Sequence, residues 1–393
     1  MVHLLLAIIY IAFISLGLPD ALLGAAWPMM HQDFSVPVSY MGIVALLISS
    51  GTVVSSLLSD GLTKRFGTGF VTAVSVAMTA VSLLGFSTAS AYWMLILWAV
   101  PYGLGAGSVD ASLNNYVAVH YASRHMSWLH CMWGIGAASG PYIMGAVLTG
   151  GMPWNMGYSS LGVLQAVLSV ILFVCIPVWQ KTDNSEPQSA QPLKLREVIC
   201  LSGAKEVLIM FFCYCALEQT VGQWASSYLV LDRGLEEETA ASCASLFYAG
   251  LTVGRAASGF MTIRFSDKAM IRIGSAIVGV GVFVMLLPLG KWGAMFGLTI
   301  IGLGCAPIYP CTIHATPAHF GADKSQAIIG MQMASAYLGI CIVPPLFGVL
   351  ADALGIGLLP ILLMVILAIM LINHERLNQK TGNIEKISAE MNL

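Results

Sequence analysis

The chain has 393 residues, of which 58% are hydrophobic and only 9% charged, with a formal net charge of −2. Apolar runs at that density exclude a soluble globular domain and point to an integral membrane protein; the lack of a basic face excludes a nucleic-acid binder. The nine cysteines occur singly or as the Cys213/Cys215 pair within apolar runs, which is neither a disulfide framework nor a metal-ligand spacing, so inert buried thiols and no metal centre are expected.

The hydropathy pattern predicts twelve membrane-spanning helices. The first covers about 2–28 and is read as a retained span rather than a signal peptide, because it has no positive leader or small-residue cleavage site and is too long for a leader core. Phe13, Gly17, Asp20, Gly24 and Trp27 recur along it at spacings of three and four, so they share one face. Pro19 is expected to disturb the helix beside Asp20 and free backbone groups there. Spans follow at about 38–59, 69–89, 92–119, 127–148 and 158–179. A stretch rich in Ser, Gln, Asn and Pro, about 180–205, has the composition of a solvated linker, and its second part, 193–200, suits a short surface helix. Six more spans are expected at about 207–230, 239–264, 269–289, 292–316, 325–350 and 355–372, and a polar tail follows His374. The expected organisation is a six-helix bundle over 1–180, a linker over 181–205, a second six-helix bundle over 206–374 and a tail over 375–393.

The two halves repeat one another. An offset of 199 residues carries Gly103-Leu104-Gly105 onto Gly302-Leu303-Gly304, Asp110 onto Tyr309 and Arg65-Phe66 onto Arg264-Phe265; with one residue less, Asp20 falls on Glu218 and Gly24 on Gly222. That is an internal duplication. An even number of spans puts both termini on one side. Lys64, Arg65, Arg124, the linker's Lys181, Lys194, Arg196 and Lys205, then Arg264, Lys268, Arg272, Lys324, Arg376, Lys380 and Lys386 all fall on that side, against Arg233 and Lys291 opposite. The asymmetry predicts an inner-membrane protein with termini and linker in the cytoplasm.

Two six-helix halves joined by a cytoplasmic linker resemble a major facilitator superfamily transporter. Turns like those that follow the second and eighth helices in that superfamily occur here at Ser56–Gly67 and Gly259–Phe265, in degenerate form, with Lys64 where an aspartate is expected. Glu218 followed by Gly222, Trp224 and Tyr228-Leu229, then Gly250-Leu-Thr-Val-Gly-Arg255-Ala-Ala-Ser-Gly259, resembles the fucose/glucose–proton symporter branch. So do Gly103-Leu-Gly105 leading to Asp110 and Asn114, and His130 through Trp133-Gly-Ile-Gly to Gly140-Pro141. The branch often carries Glu where this chain has Asp110. The resemblance implies an all-α membrane fold of twelve helices in two pseudo-symmetric bundles, and alternating access to a midplane site.

The residues carry the same expectation independently. A carboxylate inside a span costs several kcal/mol and normally has a task. Desolvation brings such a group into the range where it exchanges protons near neutral pH, which a symporter requires. Asp20, Asp110 and Glu218 are therefore the proton- or cation-coupling candidates, with hydrogen bonding between helices as the structural alternative. Sugars are held by amides and carboxylates on their hydroxyls and by aromatic faces on their C–H patches; Asn114, His130, Trp133, Gln219, Gln223, Trp224, Tyr309 and Gln332 suit that purpose. Ordinary packing is the alternative for the aromatics, and Tyr228, near a helix end, suits an interfacial anchor. For His130 and His314, a satisfied core histidine is the alternative. Arg255 lies deep enough to pair with an acid in one conformational state, or to act as a fixed clasp. Gly103-x-Gly105-x-Gly107 lacks the βαβ setting of a dinucleotide loop. With no Walker sequence and no nucleophile–base or metal-ligand cluster, neither an ATP-driven pump nor an enzyme is expected. The expected function is proton-coupled uptake of a monosaccharide or related polar solute by a monomer in the bilayer, with no cofactor and with H⁺ or Na⁺ as the coupling ion. The alternative is a proton-coupled exporter of drugs or amphiphilic metabolites, for which the 21 methionines would furnish an adaptable pocket.

Overall fold

The computed structural model describes residues 2–20, 22–37, 40–183, 193, 195–235 and 237–391, and all regular structure among them is helical. The helices are α1 (Val2–Gly17), α2 (Leu22–Asp33), α3 (Met41–Phe66), α4 (Thr68–Ser87), α5 (Tyr92–His120), α6 (Ser123–Thr149), α7 (Trp154–Val174), α8 (Ile176–Asp183), α9 (Leu195–Cys200), α10 (Ala204–Leu231), α11 (Glu237–Met261), α12 (Asp267–Leu286), α13 (Gly290–Cys305), α14 (Ile308–His314), α15 (Thr316–Phe320), α16 (Ala322–Leu354) and α17 (Leu359–Met391). Ten stretches among the described residues are long and apolar enough to cross a membrane. The polar residues Glu218, Gln219 and Gln223 keep α10 out of that group, and Glu237, Glu238 and Arg255 keep α11 out. Even so, α10 has 28 residues, about 42 Å at 1.5 Å per residue. With α10 and α11 the expected twelve segments are present. Leu354, Val349 and Val174 are about 70% exposed or more, as side chains that face lipid should be.

Three spans read as single helices are broken, each near a proline. The first divides into α1 and α2 around Pro19, the sixth into α7 and α8 at Cys175, two residues before Pro177, and the tenth into α13 and α14 around Pro307. Proline lacks the N–H that would continue the ladder and its ring crowds the carbonyl four residues earlier. Pro101 sits inside α5 without breaking it. One other boundary also differs from expectation. The last span does not stop near residue 372, because α17 runs on to Met391, whereas the short linker helix expected over 193–200 is present as α9. Residues 184–192 and 194 of the linker lie outside the described residues.

The chain divides into two compact units, residues 1–116 with 129–193, and residues 117–128 with 194–393. In the first, a core of Leu22, Trp27, Phe86, Tyr102, Trp154 and Tyr158 packs among α2, α4, α5 and α7. The α5–α6 junction belongs to the second unit. There Ser123 Oγ donates to Asp267, and His314 Nε2 lies 2.9 Å from the Tyr121 carbonyl, which can only accept, so that nitrogen carries the hydrogen. His314 Nδ1 faces Asp267 Oδ2 at 2.6 Å.

The duplication extends to atomic contacts. A Cβ on Gly103 would sit 2.2 Å from the Ile48 carbonyl oxygen of α3, and one on Gly105 would sit 2.7 Å from the Ser75 carbonyl oxygen of α4. In the second unit a Cβ on Gly302 would sit 2.1 Å from the Phe247 carbonyl oxygen of α11, and one on Gly304 would sit 2.7 Å from the Gly274 carbonyl oxygen of α12. The 199-residue offset that joins the glycines also joins Ile48 to Phe247 and Ser75 to Gly274. Small residues permit backbone-to-backbone helix packing of this kind in a bilayer, and here each half uses it at corresponding positions.

Candidate functional site

In the first unit the site is built on the α1–α2 break. Because Pro19 has no N–H, the Ser15 carbonyl has no helical donor, and Gln165 Nε2 of α7 donates to it at 2.6 Å. Thr79 Oγ1 of α4 holds the other end of that amide, donating to Gln165 Oε1 at 2.6 Å. The break is therefore braced from behind, and Asp20 is left exposed just after Pro19. Replacing Gln165 by leucine is expected to leave the buried Ser15 carbonyl without a partner, at a cost of about 1–3 kcal/mol, read as a lower thermal midpoint of the detergent-purified protein; an unchanged midpoint would remove this brace from the account.

Asp20 accepts a 2.8 Å hydrogen bond at Oδ2 from the indole Nε1–H of Trp133 on α6. A Cβ on Gly136 would meet the Ile14 carbonyl oxygen at 2.1 Å, so α1 and α6 touch there. Asp110 on α5 is buried. Asn114, one turn further along α5, donates through Nδ2 to Asp110 Oδ1 at 2.8 Å and to the Asp110 carbonyl at 3.0 Å. Its amide oxygen then faces His130 Nε2 at 3.0 Å. An amide oxygen only accepts, so that imidazole nitrogen carries the hydrogen and the order runs His130 to Asn114 to Asp110. Phe13 of α1 meets the His130 ring edge-on with centroids 5.6 Å apart. Among the described residues neither Asp20 nor Asp110 has a Lys or Arg partner.

In the second unit a separate cluster surrounds Glu218. Arg255 of α11 lies 3.4 Å from Glu218 Oε1, with the arginine side chain 5% and the glutamate 21% exposed. Tyr214, one turn before Glu218 on α10, places its hydroxyl on Glu218 Oε2 and also 3.0 Å from the carbonyl oxygen of Cys305, the last residue of α13. Tyr309 of α14 donates to Met333 Sδ at 3.1 Å and stacks obliquely on Phe211 with centroids 4.7 Å apart. Tyr214 was not among the residues singled out from the sequence. Its i, i+4 relation to Glu218 was the available signal, but beside Phe211 and Phe212 it reads as an apolar-stripe residue.

The other candidates are placed as follows. Gln219 is half-buried and Gln223 exposed on α10, one turn apart on one face, and among the described residues neither amide has a hydrogen-bond partner. Gln332 on α16 is fully buried, its Oε1 accepting from Thr316 at 3.1 Å. Trp224 gives its indole N–H to the Pro344 carbonyl at 3.0 Å and packs edge-on against Phe347, which ties it to α16 and not to the Glu218 cluster. Arg233 donates to the Tyr228 hydroxyl at 2.6 Å and holds that ring near the end of α10. No group of three or more His, Cys, Asp or Glu side chains suited to a metal ion occurs among the described residues.

The sequence profile of the Major Facilitator Superfamily matches residues 9–243 and 207–383. The chain belongs to the major facilitator superfamily. It is a multi-pass membrane transporter and not an enzyme. The transporter is 23% identical over 399 residues to Bypass of stop codon protein 6 of Saccharomyces cerevisiae, covering 91% of this chain and 79% of that protein. It is 24% identical over 353 residues to Sodium-dependent glucose transporter 1A of Mus musculus, covering 77% and 80%. Its fold superposes on the E. coli fucose:proton symporter FucP with a TM-score of 0.74 at 15% identity, covering 95% of this chain and 98% of that one.

Proposed function

We propose that this transporter is a proton-coupled importer of a monosaccharide or closely related polar solute. One observation carries the reading: two span carboxylates, Asp20 and Asp110, have no Lys or Arg partner among the described residues and are held by neutral N–H donors, Trp133 and Asn114. A carboxylate fixed for structure alone is normally paired with a cation at bilayer depth, because an isolated charge there is costly. Carboxylates held in this way instead suit groups that gain and lose protons as access to water changes sides. The hydrogen-bonding side chains on and around them, with the amides of Gln219 and Gln223, which have no partner among the described residues, have the chemistry that receives hydroxyl-rich solutes. The glucose transporter and the fucose:proton symporter among the similar proteins agree with this chemistry. The one-sided distribution of Lys and Arg supports cytoplasmic termini in the inner membrane.

The test is uptake into proteoliposomes of a panel of labelled hexoses, fucose and N-acetylhexosamines, under an inward proton gradient and, separately, an inward Na⁺ gradient. Accumulation of one sugar driven by the proton gradient alone is the expected result. Accumulation driven only by Na⁺ would overturn the proton assignment. Absence of accumulation with either ion, together with dye extrusion under a reversed proton gradient, would overturn import of sugar in favour of export.

A further inference from the structure

We propose that Tyr214 is a positioning residue that transmits the protonation state of Glu218 to the break between α13 and α14. The inference goes beyond the reading above, which rests on Asp20 and Asp110, and requires in addition that Glu218, paired with Arg255, exchanges a proton. A phenol has one hydrogen to donate, yet the Tyr214 hydroxyl lies on two acceptors, the Glu218 carboxylate and the Cys305 carbonyl. It can serve only one at a time. When Glu218 is ionised it accepts from both Arg255 and Tyr214, and the Cys305 carbonyl lacks the tyrosine hydrogen. When Glu218 takes a proton from solvent, its own O–H donates to the phenol oxygen, and the Tyr214 hydrogen is released to the Cys305 carbonyl. A single proton on Glu218 thus reverses the direction of a two-bond chain that ends in backbone.

That backbone is where the second unit is interrupted. Cys305 is the last residue of α13, and Pro307 and Pro310, which lack N–H groups, flank the start of α14 at Ile308. The terminal carbonyls of a helix need partners from elsewhere, so a hydrogen bond made or withheld at Cys305 changes how firmly the break is held. Tyr309 follows it as the second residue of α14, its ring 6.0 Å from that of Tyr214, and at the 199-residue offset it corresponds to Asp110. The groups that face Glu218 are Tyr214 on its own helix, Arg255 and Tyr248 on α11, and the Cys305 thiol on α13, with Tyr309 in reach of Arg255. Arg255 is charged throughout and Tyr214 stays a phenol near neutral pH, so Glu218 is the member whose charge can change.

The test compares amide hydrogen exchange in peptides spanning residues 303–314 for the full-length protein in nanodiscs at one pH. Glu218→Gln, neutral and able to donate to the phenol oxygen as the protonated acid does, is expected to slow exchange at the break about fivefold, the factor given by one net hydrogen bond. Tyr214→Phe, which removes a single oxygen, is expected to abolish that slowing when combined with Glu218→Gln. Slowing by Glu218→Gln that persists with phenylalanine at position 214 would overturn the role of Tyr214. An independent measurement needs no tyrosine variant. In infrared pH-difference spectra of the wild type, a carboxyl band that disappears in Glu218→Gln should be accompanied by a shift in the tyrosine C–O band. A carboxyl band without the tyrosine shift overturns this inference alone. Absence of any band assignable to Glu218 overturns the reading of Glu218 as a proton site, and this inference falls with it.

Discussion

Replacing Asp110 by asparagine is expected to abolish gradient-driven accumulation of the transported sugar while leaving exchange of labelled for unlabelled sugar in place. The substitution keeps the shape, and its amide oxygen can still accept the Asn114 Nδ2–H bond that Asp110 Oδ1 accepts at 2.8 Å, so the His130–Asn114 contact and the fold around it survive. What is lost is the group proposed to take up and release a proton. Across one pH unit a single coupled proton carries about 1.36 kcal/mol, enough for about tenfold accumulation. The wild type should therefore approach an inside-to-outside ratio of about ten at that gradient, and the variant a ratio of about one. Asp20→Asn separates the roles of the two acids. Asp20 is exposed and accepts from Trp133, whereas Asp110 is buried, so loss of accumulation in both variants would mean that the pair acts as one unit. Retained accumulation in Asp110→Asn would remove Asp110 from the coupling and leave it as a helix-to-helix hydrogen-bonding group.

Much of this site was legible because lipid makes polar residues conspicuous. An acid in an apolar helix stands out without any structure, and so does an asparagine one turn from it; both contacts within α5 follow from helix geometry alone. The partners contributed by other helices were less accessible. Trp133 and His130 were candidates, but that the first reaches Asp20 and the second Asn114 depends on how α6 lies against α1 and α5, which local patterning does not encode. Trp224 shows the converse. Its type and position suggested a sugar-stacking face, while packing gives its N–H to the Pro344 carbonyl of α16. Tyr214 and Gln165 were overlooked for a common reason: each acts on a backbone carbonyl near a helix break, at the end of α13 for Tyr214 and at Ser15 for Gln165, and only the folded chain shows which side chain meets which carbonyl. The break at Pro19 was itself foreseeable from proline chemistry, whereas Pro101, the same residue type in α5, leaves its helix intact.

The repeat was legible as spacing, and the structure shows that the spacing encodes helix contact, which leads to the second large expected effect. Gly103→Val and Gly302→Val should each prevent assembly of the folded transporter, to about the same degree. At either position a Cβ would lie 2.1–2.2 Å from a carbonyl oxygen of the neighbouring helix, a separation that no change of side-chain rotamer relieves, because both colliding groups belong to backbone. The helices must move apart, and in a bilayer close packing is a main source of helix association. Ordinary overpacking costs about 1–3 kcal/mol, and a clash with main chain lies at or above the top of that range. Gly24→Ala provides the control: nothing lies within 4 Å of its Cβ position, and alanine in place of glycine gains up to about 1 kcal/mol of helix propensity. Monodisperse protein recovered in detergent is the measurement, with Gly24→Ala expected at wild-type yield and both valine variants expected to aggregate. If Gly103→Val were soluble and Gly302→Val not, the two halves would carry unequal packing loads despite their matching contacts, and the correspondence of Ile48 with Phe247 would be a trace of the duplication with no present structural role in the first half.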